Sequence, residues 1–324
     1  MTQNTPPSPT ERALPLISVA GLNAQDPQVR AQVGHALKVA CRDMGFFYCV
    51  DHGIPANLIA KVFAQSRQFF ALPEAAKQAL NKNQSFCQRG YEPLRDQTLE
   101  AGTPPDLKEG FYSGPEKPLT DPDVVARRFN QGPNQWPPEL PEFRLVMEQY
   151  RQAMTTLAET LMRGMALSLD LPENHFEAFC RNPLTTLRLL HYPPQPARPL
   201  PGEKGAGAHT DFGGLTLLLQ DNSGGLQVRM ADGEWLDATP VPGSFIINLG
   251  DMIARWTNNR YRSTLHRVIN TSGHERYSVP FFYTGNPDQV IDCLAGCVPA
   301  GEAPLWPPVT VEEHLRTMYA RTYG

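Results

Sequence analysis

"GAGAHTDFGGLTLLLQ", residues 205–220, is the stretch on which the reading of this chain turns. It sets His209 and Asp211 two positions apart, just ahead of an apolar run at 215–219. In a strand, residues i and i+2 point to the same face, so an extended reading puts an imidazole and a carboxylate side by side at the mouth of a buried strand. Burying either group without a partner is costly, and something must meet them both. One such pair is weak by itself, because H-x-D recurs by chance. Its meaning depends on what the rest of the chain supplies.

Downstream of about residue 183 the chain breaks into short runs: "LTTLRLLHY", "LTLLLQ", "GLQVRM", "EWLDA", "GSFIINLG", "HRVIN" and "RYSVPFFYT", separated by Gly, Pro, Asn and Asp. Short strands at near-regular spacing indicate a sandwich or barrel, and the Asp-Gly of "ADGEW" marks a hairpin. Upstream the pattern differs. "LPLISVAGL" reads as a strand, "PQVRAQVGHALKVACRDM" as a helix opened by proline, and "GFFYCVDHGIP" as an aromatic strand closed by a turn. "PANLIAKVFAQSRQFFAL" and "PEAAKQAL" read as two more helices, residues 81–137 as loop-rich, and "PEFRLVMEQYRQAMTTLAETLMRGMALSLDL" as the longest helix, with a continuous apolar stripe. The fold class expected is α+β: a double-stranded β-helix (jelly-roll) core with flanking N-terminal helices.

A third ligand is sought among eight histidines. His52 and His191 flank turns, His35 falls on the first helix, and His175, His274 and His314 read as loop or exposed helix-end residues. His266, in "RSTLHRVIN", lies within an apolar strand pattern. Two His and one carboxylate leave adjacent coordination positions open, the arrangement suited to non-haem Fe(II) and O2. The alternative is a pair of satisfied core or edge histidines. Ten residues after His266, "RYSVPFF" puts Arg276 and Ser278 on one strand face. A guanidinium matches a carboxylate bidentately, and in an apolar strand it needs an anion, either a protein Asp or Glu or a bound small molecule. Asn248, Gly250 and Asp251 of "INLGDM" suit the turn after a strand, and "WTNNRYRS" reads as a loop.

Taken together, these residues resemble the isopenicillin N synthase-like family of Fe(II)- and 2-oxoglutarate-dependent oxygenases. "GFFYCVDHGIP", "FFALPEAAK", "RGYEPL", "PDLKEGFYSGP", "GPNQWP", "LRLLHYPPQP", "HTDFGGLTLLLQD", "GSFIINLGDMIARWTNNRYRSTLHRV" and "RYSVPFFY" carry the resemblance over nearly the whole chain. The resemblance implies Fe(II) held by His209, Asp211 and His266, and 2-oxoglutarate gripped by Arg276 and Ser278 with Tyr192 against it. It further implies O2 as co-reactant and hydroxylation or desaturation of a small molecule. Plant members commonly carry Asn two positions before that tyrosine. Here the position is Leu190, which cannot hydrogen-bond. Leu190, Phe111, Tyr112 and Phe282 are the expected substrate-pocket residues, and the amphipathic "EEHLRTMYARTY" either caps the pocket or lies on the surface. Two other readings stay open: an Fe(II) oxidase or ethylene- and succinate-forming enzyme of the same fold, and a non-catalytic binding or sensor protein.

Composition narrows the partners. The chain has 324 residues, a formal net charge of −4 and no basic stripe, which argues against nucleic acid. No apolar run approaches membrane-spanning length, and "MTQNTPPSPTERA" lacks the pattern of a secretory signal. The six cysteines are scattered, and the Cys293/Cys297 pair has no second pair to complete a zinc site. Reduced thiols in the cytoplasm are expected. The expected organisation is one structural domain: a disordered tail (1–13), an N-terminal oxygenase region (14–137), a scaffold helix and connection (138–182), the jelly-roll core (183–286), and a C-terminal segment with a helix (287–324).

Overall fold

The computed structural model describes residues 13–323, so the tail expected at 1–13 lies outside the described residues except for Ala13. The first half contains β1 (Leu16–Ser18), α1 (Pro27–Asp43), β2 (Phe46–Val50), α2 (Ala56–Phe70), α3 (Glu74–Gln78), β3 (Gly90–Glu92), β4 (Glu109–Ser113), α4 (Pro122–Val125), α5 (Phe143–Ser168) and α6 (Glu177–Cys180). The second half contains β5 (Leu184–Tyr192), β6 (Ala206–His209), β7 (Leu215–Gln220), β8 (Leu226–Arg229), β9 (Trp235–Asp237), β10 (Phe245–Leu249), α7 (Asp251–Trp256), β11 (His266–Val268), β12 (Arg276–Gly285), β13 (Val290–Ile291), β14 (Val309–Thr310) and α8 (Val311–Tyr323).

Local chemistry sets these limits. Asp26 caps α1 by accepting the Gln28 N–H at 2.8 Å, with Pro27 in the first turn. The helix stops at Gly45, whose φ of +68° lets its N–H return to Ala40 O at 2.9 Å. A Cβ there would fall 2.2 Å from Arg262 O, so only glycine fits.

Eight strands form a major sheet in the order β1-β2-β10-β7-β12-β5-β4-β3, antiparallel except for β1 against β2. Four more form a minor sheet, β6-β11-β8-β9. Apart from the edge strand β1, the major-sheet strands are largely buried on both faces, and strand parity divides their side chains between two cores. Tyr277, Val279, Phe281 and Tyr283 of β12 pack with Phe143, Met147, Tyr150 and Met154 of α5. Phe46, Tyr48, Leu190, Tyr192 and Ile246 turn the other way, against Ala206, Leu226, Val228 and Val268 of the minor sheet. The two sheets thus enclose a narrow interior, the jelly roll expected from the strand spacing.

Residues 81–137 are mostly loop, as expected, but they also contain β3 and β4, which extend the major sheet beyond β5. They escape a periodicity reading because they carry buried acids. Glu92 meets Lys82 and Arg188, and Glu109 meets Lys77 at 2.7 Å. Burial opposes the charge on Glu92, but Arg188, Lys82 and Lys108 outweigh it and hold its pKa near about 2. Likewise His191 does not flank a turn. It lies within β5, with Nδ1 2.7 Å from Glu109 Oε1 and its ring stacked on Tyr277.

Candidate active site

His209 ends β6 and His266 opens β11, and the two are direct partners across this antiparallel pair. Their ring centroids are 4.3 Å apart. Each Nδ1 meets a backbone carbonyl two residues earlier, Gly207 O at 2.8 Å and Thr264 O at 3.1 Å. A carbonyl can only accept, so Nδ1 carries a hydrogen, and in the neutral ring Nε2 is the nitrogen left with a lone pair. Both Nε2 atoms face Asp211 Oδ1, at 3.8 and 3.9 Å. One ligand atom from each of the three residues lies within 4.8 Å of the others.

The route by which Asp211 arrives differs from the expected one. Strand β6 stops at His209, and Asp211 lies in the connection to β7, so two-residue parity does not place it. Backbone bonds do: the Asp251 N–H donates to Asp211 O at 2.7 Å, and the Gly250 N–H to Gly214 O at 2.9 Å. Gly250 is required by close approach, because a Cβ there would sit 2.2 Å from Gly213 O. Asp211 Oδ2 accepts from Asn248 Nδ2 at 2.7 Å and Thr216 Oγ1 at 2.6 Å, which leaves Oδ1 facing the imidazoles. Burial, then the charge of His266, pushes His209 down to about 3, so it is neutral and ready to ligate. Burial opposes ionisation of Asp211, while the imidazoles and its two hydrogen bonds hold it below the ordinary range. Two imidazoles with one carboxylate make a donor set that fits Fe(II).

Asn248 therefore does more than shape a turn. It sits on β10 with its side chain directed inward, as its parity with Ile246 requires. Groups that orient a ligand are typically worth about 10- to 100-fold in metal affinity. Replacing Asn248 with Leu is expected to weaken Fe(II) binding by about that factor while the chain stays folded. Metal titration of the apoprotein checks this, and wild-type affinity would remove Asn248 from the site.

Behind the three ligands lies a cavity of about 550 Å³, lined also by Arg276, Ser278, Tyr192 and Leu190. Arg276 is 1% exposed. Its Nε donates to Gly224 O at 2.7 Å, its Nη2 to Gln220 Oε1 at 3.3 Å, and its guanidinium lies 4.7 Å from the Tyr192 ring centroid. Nη1 is buried with no acceptor. Among the described residues no carboxylate forms an ion pair with Arg276, so the protein salt bridge weighed above is absent. A buried cation with a spare donor fits an anionic ligand such as a 2-oxo diacid.

A second cavity, about 700 Å³, shares Leu99, Arg188, His209, Asp211 and Phe282 with the first. Tyr112 and Phe282 line it; Phe111 does not. Phe111 is paired with Leu189 in the ladder and turned to the helical side, 4.7 Å from Phe69 and 5.2 Å from Phe143 between ring centroids. Its neighbour Tyr112, one residue on, necessarily faces inward. Arg188, four residues before Tyr192 and of the same parity, donates to Glu92 and Gln97 and stands at the junction of the two cavities. Helix α8 contributes Leu315 and Tyr319 to the lining. His314 is buried rather than exposed, with Nε2 2.9 Å from Phe212 O. No helix is long and apolar enough to cross a membrane among the described residues.

Comparison with known proteins gives a consistent picture. A family model described as "non-haem dioxygenase in morphine synthesis N-terminal" matches residues 14–139, and one described as "2OG-Fe(II) oxygenase superfamily" matches residues 183–285. The chain is 45% identical over 317 residues to the 2-oxoglutarate-Fe(II) type oxidoreductase hxnY of Emericella nidulans, spanning 96% of this chain and 91% of that one. It is 42% identical over 313 residues to the 2-oxoglutarate-dependent dioxygenase citB of Monascus ruber, 93% of each chain. A full-length Neurospora crassa protein solved with alpha-KG and thymine superposes with a TM-score of 0.84 at 30% identity, covering 96% of this chain and 97% of that one.

Proposed function

The chain belongs to the 2OG-Fe(II) oxygenase superfamily, and we infer from its two joined cavities that it oxidises a compact organic molecule held beside the iron. It is a non-haem Fe(II)- and 2-oxoglutarate-dependent dioxygenase. In this reading His209, Asp211 and His266 hold Fe(II), Arg276 and Ser278 take the distal carboxylate of 2-oxoglutarate, and Tyr192 backs the guanidinium. When bound, iron and cosubstrate supply the oxidation, coupling O2-dependent decarboxylation of 2-oxoglutarate to hydroxylation or desaturation of the substrate.

The remaining work falls to the chain's own side chains. Asn248 and Thr216 keep the Asp211 carboxylate turned to the iron. Leu190, Leu99 and Phe282 keep water away from the reacting atoms. Tyr112, Phe282 and Tyr319 offer flat walls to the substrate, and Arg188 and Asn130 offer polar contacts. That mixture favours a ring-containing molecule bearing a hydrogen-bond acceptor. The six free cysteines suit a reducing compartment, and we assign the protein to the cytoplasm.

The observation that carries this reading is the buried guanidinium of Arg276, paired with no carboxylate among the described residues, in the cavity that also holds the three ligands. The test is an oxygen-uptake screen of the Fe(II)-loaded protein with 2-oxoglutarate across amino acids, terpenoids, phenolics and heteroaromatic acids. Succinate is expected to form in step with oxidised product. Oxidation that proceeds without 2-oxoglutarate, or ethylene in the headspace, would overturn it.

A further inference from the structure

Lys108 is buried in the same cavity, and its pull on Glu92 is only the third-ranked charge there, behind Arg188 and Lys82. Its side chain is 1% exposed and lines the space shared by His209, Asp211, Arg276 and Ser278. The ladder fixes its level. Arg276 is opposite Tyr192, and Glu109 is opposite His191, so Lys108, one residue before Glu109, comes level with Tyr192. Arg276, Tyr192 and Lys108 thus form a row across the interior face of the major sheet.

An ammonium has three donors. Among the described residues, that of Lys108 donates only to Asp106. The other oxygen of Asp106 is already engaged, accepting the Gly207 N–H of β6 at 2.8 Å. Buried donors without acceptors are costly, so a ligand acceptor is implied. The position along the row says which end of the ligand. Asp106 ties Lys108 to the Gly207 N–H, two residues before His209 on β6, and the ammonium lines the cavity with His209, Asp211 and His266, which sets it near the iron ligands. Burial lowers Lys108 itself to about 8 against the pull of Asp106, so it remains largely protonated at neutral pH.

We propose that the Lys108 ammonium binds the carboxylate at the 2-oxo end of the cosubstrate, so that one dianion is gripped by Lys108 at its metal-binding end and by Arg276 at the other. The inference rests on the function proposed above. A compact ammonium suits this task as a point charge, whereas the planar fork of Arg276 suits the free carboxylate. Leu190, on the wall between them, offers no hydrogen bond of its own.

The experiment compares two acids under anaerobic conditions with Fe(II): 2-oxoglutarate and pyruvate, which keeps the 2-oxo acid and lacks the distal carboxylate. Affinity is read by calorimetry and by the visible charge-transfer band of the chelate. Lys108→Met and Lys108→Gln are expected to weaken both acids by the same factor, about 10- to 100-fold, the usual worth of a charged hydrogen bond. Lys108→Arg should recover part of the loss. Arg276→Met should weaken 2-oxoglutarate alone. Fe(II) affinity without any acid is expected to stay at the wild-type value in the Lys108 variants. A parallel fall in metal affinity would mean that Lys108 acts only through Asp106 and Gly207 on His209, and would overturn the proposal. Unchanged affinity for both acids, or a loss confined to 2-oxoglutarate, would overturn it too. Failure of the wild type to bind either acid would instead strike the function on which it rests.

Discussion

His209→Ala, Asp211→Ala and His266→Ala are each expected to lose Fe(II) binding and O2 uptake, with turnover falling by at least about 10³-fold as a metal contribution of several kcal/mol disappears. The size of the effect follows from the scarcity of donors. One ligand atom from each of three residues converges, and no neighbouring His, Cys, Asp or Glu joins that cluster among the described residues. The fold should survive. The pairing of β6 with β11 is made by backbone, and each imidazole hangs on a carbonyl of its own chain segment. Asp211→Asn is the sharper variant. An amide can still accept from Asn248 and Thr216 through its oxygen, but it then turns an NH2 group toward the two Nε2 atoms. Near-native melting with no bound iron is the result expected for it. Oxygen uptake at the wild-type rate in any of these variants would leave the metal assignment untenable.

Most of the jelly roll was legible because its strands are short, apolar and punctuated by turn residues. His209, His266, Arg276 and Ser278 were readable because each lies in, or at the end of, such a strand. Much of what escaped did so because tertiary partners replaced local pattern. Strands β3 and β4 carry acids that Lys77, Lys82 and Arg188 make tolerable, and those bases come from a helix, a 3-10 turn and another strand. Helix α7 is only six residues long, so its sequence has too few turns to show a period. Asp211 reached the right place for a reason the sequence did not display, a loop pinned by the Gly250–Asp251 backbone. Phe111 and Tyr112 looked equivalent as adjacent aromatics near a glycine. The register against Leu189 and Arg188 separates them, one to the helical core and one to the cavity. The same parity, applied to "LTTLRLLHY" and "FIINL", would have singled out Arg188 and Asn248.

For Arg276→Met the expected loss is in 2-oxoglutarate affinity, about 100-fold or more, in line with the 2–5 kcal/mol typical of truncating one partner of a buried charge pair. The sign of the accompanying stability change is the less obvious part. Without ligand this guanidinium is buried with one nitrogen unmatched and, among the described residues, no carboxylate in an ion pair with it. An uncompensated buried charge destabilises, and an apolar side chain of similar length often does no worse. Against that stand the bonds to Gly224 and Gln220 and the Tyr192 contact, all to neutral groups. The melting temperature of the ligand-free variant is therefore expected not to fall. The wild type should gain stability as 2-oxoglutarate is added, since a ligand that binds only the folded state stabilises it by mass action, and the variant should gain almost none over the same range. Arg276→Lys should behave nearly as badly as Met, because a point charge on a shorter reach cannot present two parallel donors. A thermal-shift titration of the three proteins, run with Fe(II) under argon, reads all of this in one experiment. Equal 2-oxoglutarate stabilisation in wild type and Arg276→Met would show that the acid is anchored elsewhere.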